Sequence, residues 1–264
     1  MSSLRIGCVK YLNARPLIRG WEGDVDFDHP SALCQRLANG ELDVALVSSF
    51  EFLRNPIYRI VDGVSISSDG PVYSVVVAHR VELSKIKEIE LDPASETAGN
   101  LLRCLLAQLN LAPRVAIAST SPLTEDRARL LIGDQAVRFR QEHAGEFQFW
   151  DLGEQWKKLV DLPFVYALWL IRPEVADPEP TANRLRALRD ENLANLDDLV
   201  ADVVAGFGDL GQSNQLNRGF FFRYYRDHLR FGFGEKEKKG LQTFANLWAK
   251  QVLLPKRKLV FDLV

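Results

Sequence analysis

Apolar and polar positions alternate in blocks from the start of the chain. Leu4–Val9 reads as a buried strand, and the polar stretch after it, carrying Asn13 and Arg15, reads as a turn. Pro16, whose fixed φ suits a first helical turn, opens a short helix to about Gly20, and Asp24–Asp28 offers a second strand. Ser31 then stands as N-cap of a helix through Ala38 that Gly40 ends. Asp43–Val47 returns as an apolar strand, and Ser48 and Ser49 fall at the turn into a helix over Phe50–Arg54. Asn13 and Ser48 thus occupy equivalent strand-to-helix turns, which can face one cleft.

Two long apolar runs, Tyr73–His79 and Phe164–Ile171, predict buried strands, with enough chain between them for one small domain. That interval predicts a strand ending at Leu91 and Asp92, then Pro93-Ala94-Ser95 and an amphipathic helix from Glu96 to about Asn110. It continues with a strand over Ala128–Ile132, closed by Gly133-Asp134, and a helix toward His143. The expected organisation is two α/β lobes, the first from residues 1–76 plus 172–264 and the second, inserted, from 77–171. The two long strands should run side by side as the hinge. Beyond Pro173 the period is helical, over Pro178–Leu193, Leu196–Val204 and Glu235–Val252, the last with Leu241, Phe244, Ala245, Trp248 and Val252 on one face. The aromatic cluster Phe220-Phe221-Phe222 and Tyr224-Tyr225 is assigned to core packing.

Composition narrows the function. A chain of 264 residues lies near the size at which single cores divide. With 47% hydrophobic and 26% charged residues it is an ordinary globular protein, and its net charge of −2 offers no field for nucleic acid. Cys8, Cys34 and Cys104 form no close pair, so buried thiols are expected rather than disulfides or a zinc knuckle. His29, His79, His143 and His228 are widely spaced and none pairs with Cys or carboxylate at ligand spacing, so no metal is expected. Gly-rich phosphate loops and a glycine-flanked serine elbow are missing, which speaks against nucleotide cofactors. No apolar run reaches the ~20 residues of a membrane helix. Met1-Ser2-Ser3 leads straight into a strand without the features of a signal peptide, so a cytoplasmic location is expected.

The candidate chemistry is anion binding. Asn13 can be a turn residue or can offer its amide to a ligand, and Arg15 can lie on the surface or grip a carboxylate in bidentate fashion. Ser48 and Ser49 can cap a helix and still present hydroxyl and N–H groups to an anion. Ser95 and Thr97 repeat that arrangement in the inserted lobe, so a dicarboxylate could be held from both sides. Ser74 at the hinge can donate to ligand or satisfy a strand edge, and Asp134 can cap a helix or orient a substrate hydroxyl.

The turn Tyr11-Leu12-Asn13-Ala14-Arg15-Pro16-Leu17 resembles the opening motif of the menaquinone biosynthesis enzymes of the futalosine route, in their chorismate dehydratase branch. Further blocks are similar to that family and follow in its order: Leu46 to Glu51, Gly70 to Val75, Leu91 to Thr97, Ile132-Gly133-Asp134, Asp151-Leu152-Gly153 and Leu162 to Ala167. The last third resembles it only in helical pattern. The resemblance implies a two-lobed type II periplasmic-binding-protein-like α/β fold with the ligand cleft between the lobes. It also implies a cofactor-free lyase that removes water from chorismate, a small-molecule substrate, to give 3-[(1-carboxyvinyl)oxy]benzoate. On that reading Asn13 is the catalytic residue, positioning substrate, while the enolpyruvyl carboxylate of the substrate takes the proton. Arg15, Ser48, Ser49, Ser74, Ser95, Thr97 and Asp134 bind substrate. The sister branch that cleaves a dehypoxanthine futalosine should carry a different opening motif and a histidine near the first turn. A cytoplasmic solute-binding or sensing protein for a small organic acid is the rival from another class.

Overall fold

The structure is a computed structural model that describes residues 4–92, 96–117, 123–206, 216–251 and 258–264. In chain order the first elements are β1 (Ile6–Val9), a 3-10 turn (Leu12–Ala14), α1 (Arg15–Ile18), β2 (Val25–Asp28), α2 (Pro30–Ala38), β3 (Val44–Ser48), α3 (Ser49–Arg54) and β4 (Arg59–Ser68). There follow β5 (Val75–His79), β6 (Glu88–Leu91), α4 (Glu96–Gln108), β7 (Arg114–Ile117), β8 (Arg127–Ile132), α5 (Gly133–Glu142), β9 (Gln148–Asp151) and α6 (Leu152–Val160). The chain closes with β10 (Phe164–Ile171), α7 (Glu179–Ala194), α8 (Leu196–Gly206), α9 (Arg218–Arg223) running into a π-turn (Tyr224–His228), and α10 (Glu235–Lys250).

The described strands form two five-stranded mixed sheets, in the orders β2-β1-β3-β10-β4 and β7-β6-β8-β5-β9. Strands β1, β3, β5 and β10 are buried along their whole length, as continuous apolar runs require when both faces are covered. Helix α10 turns Leu241, Phe244, Ala245 and Trp248 inward as its stripe predicts, while Val252 lies outside the described residues. Cys8, Cys34 and Cys104 are buried free thiols. No described helix is long and apolar enough to cross a membrane.

Three expectations need correction. Helix α2 begins at Pro30 with His29 as its N-cap, so Ser31 lies inside the first turn; proline's fixed φ favours that start. The strand expected from Tyr73 begins at Val75, because Tyr73 adopts a left-handed φ of 67° that breaks the extended backbone. The two long strands do not run side by side. Strand β10 pairs antiparallel with β3 and β4 in the first sheet, and β5 pairs with β8 and β9 in the second. The first sheet therefore includes residues 164–171, and Val75 and Val76 belong to the second sheet. A fully apolar eight-residue run needs cover on both edges and faces, which a central place between β3 and β4 supplies.

The chain crosses between the sheets through loops, outward over residues 69–74 and back over residues 161–163. Asp151 ties the outward crossing to the start of α6. Its carboxylate accepts from the N–H of Glu154 at 3.1 Å, capping α6, and from those of Val72 (3.1 Å) and Tyr73 (2.8 Å) on the outward crossing. Gly153 next to it is a close-approach position. A Cβ there would stand 2.6 Å from Gly70 O, 2.7 Å from Ser68 Oγ and 2.8 Å from the Tyr166 hydroxyl.

Candidate active site

A cavity of about 70 Å³ opens between the two sheets. The first sheet and its turns contribute Val9, Tyr11, Asn13, Pro30, Ser48, Ile66, Tyr166 and Ala167; the second contributes Val75, Glu96, Thr97, Ala98, Ile132 and Gly133, with Val72 from the outward crossing. Helices α2, α4 and α5 all begin at its wall, at Pro30, Glu96 and Gly133, and α3 begins directly after Ser48. Several positive helix ends thus converge on an otherwise apolar chamber, an arrangement suited to a compact organic anion.

The turn that carries Asn13 is clamped at Leu12. The Leu12 N–H donates to Asp134 Oδ1 at 2.8 Å, and its carbonyl accepts from the Tyr225 hydroxyl at 2.9 Å. Asn13 Oδ1 is buried and has no hydrogen-bond partner among the described residues. A buried amide oxygen without a partner is costly, so this side chain is set to meet a ligand or water. Tyr11 packs its ring over Gly133, whose φ of +55° and missing side chain are both required, since a Cβ would stand 2.9 Å from Tyr11 Cγ. The Tyr11 hydroxyl lies 3.4 Å from His29 Nδ1. Folding thus brings a histidine beside the first turn that the local sequence lacks, although His29 is exposed and outside the cavity wall.

The two units meet across the cavity. The hydroxyls of Ser48 and Thr97 are hydrogen-bonded, and Thr97 Oγ1 also accepts from Phe50 N–H at 3.3 Å. Arg54 pairs with Glu96 at 3.0 Å and with Glu51, joining α3 to α4. Cys34, Glu51 and Glu96 each bring one potential ligand atom within 4.8 Å of the others. The cluster is poorly suited to a metal, because the Arg54 guanidinium already occupies one oxygen of each carboxylate and burial pushes the Cys34 thiol up to about 12.

Of the residues chosen from sequence, Asn13, Ser48 and Thr97 line the cavity. Ser95 lies outside the described residues. Ser49 and Ser74 sit behind the wall in structural roles: Ser49 Oγ donates to Val165 O at 2.7 Å, and Ser74 Oγ accepts from the Tyr224 hydroxyl at 2.9 Å. Arg15 is exposed and, with Lys10, Arg19, Asp134 and Arg138, lines a separate surface groove. The expectation that Arg15 grips ligand in the cleft is therefore corrected: as first residue of α1 it is exposed and lines that groove, not the cavity wall. Asp134 is likewise a clamp on Leu12 rather than part of the cavity wall. Sequence reasoning missed Glu96 and Tyr166 in the wall, and Tyr224 and Tyr225 as its support. The blocks Leu91–Thr97 and Leu162–Ala167, which hold Glu96 and Tyr166, were the available signal for those two; nothing local marks Tyr224 and Tyr225.

The Asp134 clamp has a pH signature. Burial raises its carboxyl above the ordinary 3.8, outweighing the Leu12 N–H bond and the nearby Arg138 and Arg15 charges. The native state thus holds this proton more tightly than the unfolded chain. Its stability contribution is fully present below the ordinary carboxylate value, falls as pH rises through the raised native value, and then levels off. Asp134→Asn keeps an acceptor for Leu12 and is expected to flatten that fall, leaving the protein at least as stable as the parent at neutral pH. Asp134→Ala leaves the N–H unpaired and is expected to cost about 1–3 kcal/mol. Urea unfolding of both variants across the acid-to-neutral range checks the pair; equal losses at neutral pH would sink the clamp.

Known proteins agree with this architecture. A chorismate dehydratase of Thermus thermophilus is 27% identical over 262 residues, covering 91% of this chain and 93% of that protein. Among solved structures, a protein of Archaeoglobus fulgidus superposes with a TM-score of 0.62 at 17% identity, over 95% of this chain and 98% of its own. The periplasmic aliphatic sulphonate binding protein SsuA of Escherichia coli does so with a TM-score of 0.62 at 16% identity, over 99% and 96%. The fold is the two-lobed periplasmic-binding-protein type expected from the sequence. The family model for menaquinone biosynthesis matches residues 4–250, nearly the whole chain, and the chain belongs to that family.

Proposed function

We propose that this protein is a chorismate dehydratase, a hydro-lyase that supplies 3-[(1-carboxyvinyl)oxy]benzoate to menaquinone synthesis by the futalosine route in the cytoplasm. The observation that carries the reading is Asn13, whose amide oxygen is buried and unpartnered among the described residues, in a clamped turn that lines a largely apolar cavity ringed by helix starts. The dehydratase from Thermus thermophilus, similar over nearly the full length, supports it.

The reaction asks little of the protein. One ring C–H bond breaks beside the enol ether, the neighbouring C–O bond breaks, and proton and hydroxide leave as water while the ring becomes aromatic. No electron acceptor is consumed. The enolpyruvyl carboxylate of the substrate takes the ring proton, and Asn13 orients that carboxylate against the ring. Closure across Ser48–Thr97 and Arg54–Glu96 excludes water and fixes the reacting geometry.

Incubating the purified protein with chorismate should yield an aromatic product lighter by one water, seen by mass and ultraviolet absorbance. Chorismate that binds without conversion would favour the solute-binding reading, for which the fold shared with SsuA is the supporting observation.

A further inference from the structure

Glu96 is the one carboxylate that lines the cavity among the described residues. Its Oε1 is held by Arg54 at 3.0 Å, whereas its Oε2 is buried and has no hydrogen-bond partner among the described residues. Arg54 is held in turn by Glu51, so the side chain is anchored from α3 while it stands on the first turn of α4. An ionised carboxylate can only accept hydrogen bonds, and a buried acceptor left empty is expensive. The cavity therefore calls for a ligand with a donor at this point. Asn13 also has an unused buried oxygen here, but turning its amide end for end presents Nδ2–H donors instead, a choice a carboxylate does not have.

Chorismate, the substrate of the reading above on which this step rests, carries two carboxylates that only accept and one ring hydroxyl that can donate. We infer that Glu96 accepts the hydrogen bond of that hydroxyl and so determines specificity for the hydrated ring over its dehydrated product. Only one orientation satisfies both partners. The carboxylates turn away from Glu96 toward Asn13 and the starts of α2 and α5, and the hydroxyl turns toward Oε2. The hydroxyl is the group expelled, so the reaction itself removes the donor. The product then presents two carboxylates and no donor to a fixed anion, which favours its release.

The experiment compares wild type with Glu96→Gln on two probes: kcat/KM for chorismate and the dissociation constant of 3-[(1-carboxyvinyl)oxy]benzoate. Losing a charged acceptor should lower kcat/KM for chorismate about ten- to hundredfold. Affinity for the product should stay the same or rise, because the facing negative charge is gone. Product binding by the variant also certifies its fold. In a variant that still binds product, a parallel weakening on both probes would mean a merely structural role and overturn the inference, as would an unchanged kcat/KM. Should Glu96→Gln bind no product, a chorismate analogue with hydrogen in place of the ring hydroxyl decides the matter on wild type. It should compete at least tenfold more weakly than the Michaelis constant of chorismate, because the carboxylate is left unpaired; competition at that constant would overturn the inference. Wild type that neither converts nor binds chorismate would instead overturn the functional reading, which separates the two failures.

Discussion

Asn13→Ala is expected to lower kcat for chorismate by roughly two to three orders of magnitude, the usual cost of removing one positioned amide from a site that stabilises charge. Its effect on KM should be much smaller. The side chain is held by the Leu12 clamp and not by partners of its own, so truncation leaves Asp134 and Tyr225 in place and the fold intact. Helix starts around the cavity still attract the substrate carboxylates in the variant, which preserves ground-state binding. What is lost is the alignment of the enolpyruvyl carboxylate with the ring proton, an interaction that matters most in the transition state. Arg15→Ala provides the contrast. Because Arg15 lies in a separate surface groove, its removal should change kcat by less than the Asn13 variant by at least tenfold. Steady-state kinetics on both variants settle the matter; a kcat within a few-fold of wild type for Asn13→Ala would remove the residue from the mechanism.

Much of this was legible in the chain because the signals were local. Pro16 after Asn13, Gly40 after α2 and the apolar runs of β3, β5 and β10 each obey short-range rules, and the structure places those elements within a residue or two. Strand β4 escaped notice because Asp62, Gly63, Ser65, Ser67 and Ser68 interrupt its apolar positions, although its pairing with β10 makes it a sheet edge. The partner choice of β10 could not be read either, since a fully apolar strand has no polar face to fix which sheet covers it. The same limit applies to side chains. Ser48 and Ser49 are neighbours with the same chemistry, yet one lines the cavity and the other bonds Val165 O behind it. Tyr224 and Tyr225 looked like core aromatics and are buried, but their hydroxyls hold Ser74 and Leu12 from more than a hundred residues away in sequence. Only packing decides such roles.

The return crossing makes the second large prediction. Gly240 lies inside α10 with its Cα against the carbonyl of Pro163, and an added Cβ would stand 2.1 Å from that oxygen. Both groups are backbone, so neither can step aside by changing rotamer. The Pro163 carbonyl is pinned further by the indole N–H of Trp156, which donates to it at 3.2 Å. Alanine ordinarily favours a helix interior over glycine by about 1 kcal/mol. Here overpacking reverses the sign, and Gly240→Ala is expected to lose about 3 kcal/mol, or roughly 6–10 °C in Tm. Gly99 in α4 is the internal control. Its added Cβ would meet the Leu91 side chain at 3.4 Å and Arg103 Nη1 at 3.7 Å, both ordinary contacts with side chains, so Gly99→Ala should be neutral or gain a few tenths of a kcal/mol. Thermal and urea unfolding of the two variants should therefore move in opposite directions from the same chemical change. Because residues 161–163 join the two sheets, the displacement in Gly240→Ala should also reach the cavity, through β10 and Tyr166. Activity should fall at temperatures where the variant is still folded. A Gly240→Ala protein as stable as Gly99→Ala would show that α10 can slide away from the crossing, and that the contact does not fix how the lobes meet.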